Sequence, residues 1–252
     1  MHSAVTTQWD LGLVALSFAF AVIGSFLALS AATRLRADHG GLDWANVLAV
    51  GAALGGVGVW SMHFIGMLAL RMDVGSSYSM LETLTSLVAA NLATAGSVAY
   101  AALRPESLTR LLVAGFLLGM SVVVMHYLGM FGLKIYGFIT WDLVLVGASM
   151  LIAVVAATAA LWLAFNSKTL GHRVAASVVM GIAVCAMHYT GMAAAEFVCT
   201  TAQRAAIPQG PGLISALRLP TLVVGATVLL TLLLSIGQVV QRRRPAKSRR
   251  FA

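Results

Sequence analysis

Apolar residues run through this chain in long unbroken blocks, separated by short polar stretches, without the alternation of a half-buried strand or the stripe of an amphipathic helix. Seven blocks are long enough to cross roughly 30 Å of hydrocarbon at 1.5 Å per residue. They cover about 10–32, 45–68, 81–103, 111–131, 141–165, 174–195 and 219–239. Lipid offers no partners to open backbone groups, so each block is predicted to be a helix. The expected fold class is all-α: a polytopic membrane protein with seven transmembrane helices.

Composition agrees with the pattern. Sixty per cent of the residues are hydrophobic and 10% are charged, too few polar side chains to clothe a soluble surface of this size. No Lys or Arg precedes the first block, which is also longer than a signal-peptide core, so it is expected to remain as a helix.

Charge sets the predicted orientation. With the N-terminus outside, Arg34, Arg36, Arg104, Arg110, Lys168, Arg173, Arg242, Arg243, Arg244, Lys247, Arg249 and Arg250 lie on the cytoplasmic side. Only Arg71, Lys134, Arg204 and Arg218 lie outside, a bias of 12 to 4. Six of the twelve fall within residues 242–252, read as a basic cytoplasmic tail after a membrane domain of residues 1–241. A basic tail beside a membrane helix is drawn to anionic head groups; the lipid bilayer accounts for the net charge of +8, and nucleic acid is not expected as a partner. Cys185 lies inside the sixth block and Cys199 beyond it, so no disulfide framework is expected.

The chain repeats itself. The second, fourth and sixth blocks end in Met62-His63-Phe64-Ile65-Gly66-Met67, Met125-His126-Tyr127-Leu128-Gly129-Met130 and Met187-His188-Tyr189-Thr190-Gly191-Met192. The histidines are 63 and 62 residues apart. Each is preceded at seven residues by a glycine (Gly56, Gly119, Gly181), and each preceding block carries Ser-x-x-x-Ala at Ser17/Ala21, Ser86/Ala90 and Ser149/Ala153. The unit is therefore a helical hairpin of about 62 residues, three parallel copies of which are followed by one C-terminal helix. All three motifs fall near the outer surface, and three-fold pseudo-symmetry would bring them together.

At 100° per residue, His63 and Met67 share a helix face with Gly56, as do the equivalent residues of the other copies, while Met62 points about 100° away. Each copy offers an imidazole and a thioether. That donor set suits copper, above all Cu(I), and not the hard cations. Zinc gains little from a thioether, whereas haem iron accepts His/His or His/Met pairs, and the absence of a CxxCH motif would make such a haem non-covalent. Packing alone would account for one copy, since a membrane histidine can simply bond to a neighbouring helix and Met is common filler. Three copies at one depth favour a metal or redox centre, because ionisable groups in membranes are costly and mark function.

Lesser candidates have plainer roles. Cys185 is expected to be a small buried hydrophobe, Phe64, Tyr127 and Tyr189 an interfacial belt, and Met1-His2 a flexible terminus. Asp10, Glu82 and Asp142 are expected to cap helices, and Asn91 to bond across to a neighbouring helix.

These motifs resemble the MHYT domain, a bacterial membrane sensor domain. Met187-His188-Tyr189-Thr190 reproduces its signature in full, while Met125-His126-Tyr127-Leu128 and Met62-His63-Phe64-Ile65 match it at three and two positions. The resemblance covers about residues 8–240. It implies a copper-binding sensor of oxygen, carbon monoxide or nitric oxide, with Met62, His63, Met125, His126, Met187 and His188 at the metal; geometry adds Met67, Met130 and Met192. Phe64 departs from the family's tyrosine. The resemblance also implies a bacterial cytoplasmic membrane location. Many relatives carry a cytoplasmic cyclic-dinucleotide enzyme or kinase domain; no catalytic motif is seen in this sequence, so it reads as non-enzymatic, with output through a separate cytoplasmic or membrane protein. Copper transport or delivery and a haem-binding electron carrier are the competing readings.

Overall fold

The computed structural model describes residues 3–37, 41–167 and 169–243. Met1, His2, Lys168, Arg244, Lys247, Arg249 and Arg250, and with them most of the expected basic tail, lie outside the described residues.

Seven helices of membrane-spanning length and apolarity stand where the seven blocks predict them. They are α1 (Leu11–Ala32), α2 (Trp44–Ala69), α3 (Met80–Ala102), α4 (Leu108–Gly132), α5 (Leu143–Asn166), α6 (Leu170–Ala193) and α7 (Leu219–Arg243). This is a multi-pass membrane protein. Asp10 and Asp142 cap α1 and α5 through their carboxylates, as expected, and Ser107 and Thr169 cap α4 and α6 with hydroxyls. Glu82 instead accepts bonds from the Ser79 hydroxyl and Lys134.

Packing follows the repeats. Each helix of the three hairpins packs on its neighbours in sequence, and α1 closes the ring against α6. Helix α7 lies outside this ring, against α2 and α1. It explains why α2 is 83% buried over its apolar stretch, against 44% and 28% for its counterparts α4 and α6, whose outer faces are left to lipid.

Two features have no signal in the hydrophobic blocks. Gly51–Ser61, within α2, is wound as a π-helix. The Ser61 hydroxyl bonds to the Gly56 carbonyl five residues back and lies 2.6 Å from the Thr227 hydroxyl of α7. Helix α1 also approaches this segment so closely that a side chain on Gly24 would overlap the backbone of Gly58.

The second feature is a cap of short strands. Strand β1 (Ser3–Ala4) pairs with β7 (Ala195–Cys199), which pairs with β6 (Gly137–Trp141). Strand β2 (Thr7–Trp9) pairs with β3 (Leu70–Met72). Strand β4 (Ser76–Ser79) lies between β5 (Leu133–Ile135) and β8 (Leu213–Ser215). All pairs are antiparallel. All eight strands stand at the end where α1, α3, α5 and α7 begin and α2, α4 and α6 finish, which is the end that carries the motifs. Their ladders satisfy backbone groups that would otherwise sit unpaired over the helix ends.

Candidate metal centre

Each motif histidine lies in the last turns of its helix and points to the pseudo-three-fold axis. The three Nδ1 atoms form a nearly equilateral triangle: His63 to His126 is 3.1 Å, His63 to His188 is 3.2 Å and His126 to His188 is 3.3 Å. The rings meet edge to face, with centroids 4.9–5.2 Å apart. All three are fully buried.

Glycine makes this approach possible. The Nε2 edge of His63 lies on Gly129, that of His126 on Gly191 and that of His188 on Gly66. Each imidazole thus rests on the motif glycine of another copy, in cyclic order, and any β-carbon there would overlap the ring. The earlier glycines do a different job: a β-carbon on Gly119 would come within 2.6 Å of Val154 in α5, and one on Gly181 within 2.7 Å of Val22 in α1.

The aromatic residues after the histidines hold the copies together. Tyr127 and Tyr189 meet the rings of His126 and His188 edge on, at 4.8 Å. The Tyr127 hydroxyl lies 2.7 Å from Ser149, and that of Tyr189 lies 2.9 Å from Ser17. Both serine hydroxyls also bond to carbonyls of their own helices, so the tyrosines donate and the serines accept. In the first copy Phe64 has no hydroxyl to give. The Trp60 indole N–H, one turn earlier and 4.9 Å from the Phe64 ring, donates to Ser86 at 3.1 Å instead. The three Ser-x-x-x-Ala serines are therefore acceptors for the preceding copy in cyclic order; the tyrosines are stapled inside the bundle, and Phe64, expected in an interfacial belt, is fully buried.

Proton bookkeeping shows what the triangle can hold. A neutral imidazole carries one N–H. With the protons on Nε2, three Nδ1 lone pairs face one another; with all three on Nδ1, three N–H groups collide. One shared Nδ1 proton serves one edge well and leaves the others poor. Meanwhile all three Nε2 atoms are buried without a hydrogen-bond partner. A cation at the centre resolves the conflict. That centre lies about 1.85 Å from each nitrogen, close to the roughly 2.0–2.1 Å of zinc–imidazole bonds. A trigonal set of three fully buried nitrogens suits three-coordinate Cu(I) better than zinc, which takes a fourth ligand. Haem does not fit: axial imidazoles bind opposite faces of a porphyrin, and this triangle leaves no space for a macrocycle between the rings.

The six motif methionines are the thioether candidates. All six are buried. Met187 lines an apolar cavity of about 30 Å³ inside the bundle with Leu54, Val59 and Leu118, whereas Met67 faces a cleft at the strand-capped end. Among the described residues, the three histidines alone form a cluster of nitrogen, thiol or carboxylate ligands close enough to share an ion. Cys185 and Cys199 are free thiols and stand outside it. Asn91 does not bond across helices: its amide nitrogen donates to the Leu87 carbonyl of its own helix, and its Oδ1, beside Gly56 of α2, is buried without a hydrogen-bond partner.

A family profile described as a bacterial signalling protein N-terminal repeat, MHYT, matches residues 1–42, 56–115, 119–177 and 181–249. The chain belongs to the MHYT family. Its similarity extends to a bifunctional diguanylate cyclase/cyclic di-GMP phosphodiesterase, MucR of Pseudomonas aeruginosa, at 39% identity over 73% of this chain and 28% of the relative. A signalling protein of Caulobacter vibrioides is 34% identical over 78% of this chain and 24% of its own length. The signalling protein YkoW of Bacillus subtilis is 30% identical over 77% and 25%. The chain thus spans about a quarter of the length of these relatives. No solved structure matches it. As an MHYT protein it is a bacterial signalling protein, and its histidine triangle joins the three motif-bearing hairpins.

The signal for the ring-bearing glycines was present in the motif itself, as the glycine three residues after each histidine. The glycines seven residues before each histidine, equally regular in the sequence, serve helix approach at Gly119 and Gly181 instead.

Proposed function

We propose that this chain is a membrane sensor module in which His63, His126 and His188 hold one copper ion as Cu(I), and that a diatomic gas or a change of redox state at this centre is the signal. The observation that carries the reading is the triangle of three buried Nδ1 atoms 3.1–3.3 Å apart, whose three edges no set of neutral tautomers can all pair. Copper held there would supply a gas-binding ion and a one-electron couple. The chain's own residues fix the three nitrogens through the glycine seats, exclude water, and set the copies against one another through the Tyr–Ser and Trp–Ser bonds.

The centre faces the outside of the cytoplasmic membrane in this reading, with the C-terminus inside. The 12-to-4 distribution of basic residues supports that orientation.

Output runs through α7 to a partner or to further protein domains. Ser61, two residues from His63, meets Thr227 of α7, and the Gln238 amide of α7 donates to the Leu27 carbonyl. The π-wound segment ending at Ser61 is the element suited to change, since such windings are uncommon and cluster at functional sites. Copper transport is the second reading. It requires soft ligands continuing to the far end, and the cavity beyond Met180 is lined by Ala28, Ala32, Val50 and Ala164, which offer none.

Carbon monoxide added to the reduced, copper-loaded protein tests the sensor reading. A copper-carbonyl infrared band, absent from His126→Ala, with altered amide exchange around Ser61 and Thr227, is the expected result. No band overturns the gas reading, and a band with unchanged exchange overturns the α7 route.

A further inference from the structure

A fully buried centre needs a way in, and the two internal cavities do not provide one. They measure about 30 and 20 Å³, and although Met187 and Met180 contribute thioethers to otherwise aliphatic linings, every lining residue lies within a membrane helix and none in the strand cap, so neither opens a path from outside. The strand-capped end is different. A cleft of about 510 Å³ opens there between β3, β4 and the segment leading into α7. Met72 stands half-buried on its wall, Met67 and Tyr78 are buried in its lining, and Leu217 is exposed at its rim. Tyr78 meets Phe64 edge to face at 6.1 Å, and Phe64 meets the His63 ring in the same way at 4.9 Å. The cleft therefore ends one aromatic layer from the triangle, with Met67 one helical turn beyond His63.

Its chemistry is selective. Two thioethers line it, and its one charged side chain, Arg71, is paired with Asp10. No carboxylate lines it to attract hydrated divalent ions. Thioethers bind Cu(I) without losing a proton and release it readily to nitrogen, so a passage of this kind takes a soft monovalent ion by ligand exchange. Met130 and Met192, the counterparts of Met67, do not line it, which makes the route a property of the first repeat.

We propose that this cleft is the port by which Cu(I) reaches the histidine centre, with the thioethers of Met72 and Met67 as successive transient ligands. The proposal rests on the copper reading above. It separates speed from affinity: the port methionines govern the rate of loading, and the histidines govern how tightly the ion is held.

Stopped-flow transfer of Cu(I) from a coloured bicinchoninate complex to the full apo-protein in lipid nanodiscs measures both. Leu keeps the volume of Met and removes the sulfur, so Met72→Leu and Met67→Leu should slow transfer by about tenfold or more while the equilibrium affinity changes little. Met120→Leu and Met150→Leu, methionines outside both the motifs and the cleft, should load at the wild-type rate. As a check that leaves the buried residues untouched, Leu217→Cys blocked with a bulky maleimide should slow loading while the unblocked variant loads normally. Wild-type rates in both the Met67→Leu/Met72→Leu variant and the blocked Leu217→Cys protein would overturn the port alone. Failure of the wild type to bind Cu(I) at all would overturn the copper reading, and the port with it.

Discussion

The imidazole of His188 is seated on Gly66 of the first repeat, its Nε2 edge filling the space that a β-carbon would take. His63 on Gly129 and His126 on Gly191 repeat the relationship, so the ring of one copy is held by the backbone of another. Most metal-bound imidazoles are oriented by an acceptor on the far nitrogen. Here the Nε2 atoms have none, and shape does that work.

Alanine at Gly66, Gly129 or Gly191 must therefore push a histidine off the axis. Overpacking of this kind costs about 1–3 kcal/mol in a packed interior. Each variant is expected to bind copper at least tenfold more weakly, a loss typical in size of disturbing a ligand's support. Titration against a chelator measures it. Unchanged affinity in all three variants would show that the seats do not orient the rings.

The Trp60–Ser86 bond predicts an exchange between repeats. Phe64→Tyr alone places a hydroxyl in a fully buried position whose serine partner already accepts from Trp60. A buried unsatisfied hydroxyl costs about 1–3 kcal/mol. Trp60→Val alone leaves a cavity. The double variant Trp60→Val/Phe64→Tyr recreates the Val123 and Tyr127 arrangement of the second repeat, and should melt at a higher temperature than Phe64→Tyr. Strict additivity of the two losses would refute the equivalence.

Seven helices, the three-hairpin repeat and the convergence of the histidines at one end are all legible in the sequence. Long apolar blocks and a spaced motif are local signals, strong enough to read directly. The strand cap is not legible, because its strands have two to five residues and pair across the whole chain, as Ser3 does with Cys199. The π-winding of Gly51–Ser61 depends on contacts with α1, α3 and α7 that no local pattern encodes. Phe64 looked like a loss from the motif; its replacement by Trp60 is visible only once Ser86 is seen beside the indole.

The cap should respond to acid. The Asp73 carboxylate accepts from Arg204 at 2.7 Å and from the Thr6 amide, and the bond to Arg204 holds its pKa below the ordinary 3.8. A carboxyl depressed by folding contributes stability above its unfolded value and loses it as pH falls through the folded one. The contribution is therefore complete at neutral pH and fades below 3.8. A spin label at Gln203→Cys should gain mobility in that range. Asp73→Asn should make the label mobile at pH 7 and remove the acid step; an unchanged step would place its origin elsewhere.

Orientation has a direct test. Leu217 is exposed at the strand-capped end, and Glu106 is exposed in the turn between α3 and α4 at the other. In intact cells an impermeant maleimide should label Leu217→Cys, and should reach Glu106→Cys only after permeabilisation. Labelling of Glu106→Cys in intact cells would invert the arrangement.

The histidine triangle as a copper site is the centre of this account, and the metal content of the purified protein tests it most directly. Protein prepared without chelator, loaded with Cu(I) and desalted, is compared with the His63→Ala/His126→Ala/His188→Ala variant by elemental analysis. The triangle has room for a single ion, so the wild type should retain about one copper per chain and the variant none. Equal copper in the two proteins, or none in the wild type, would contradict it.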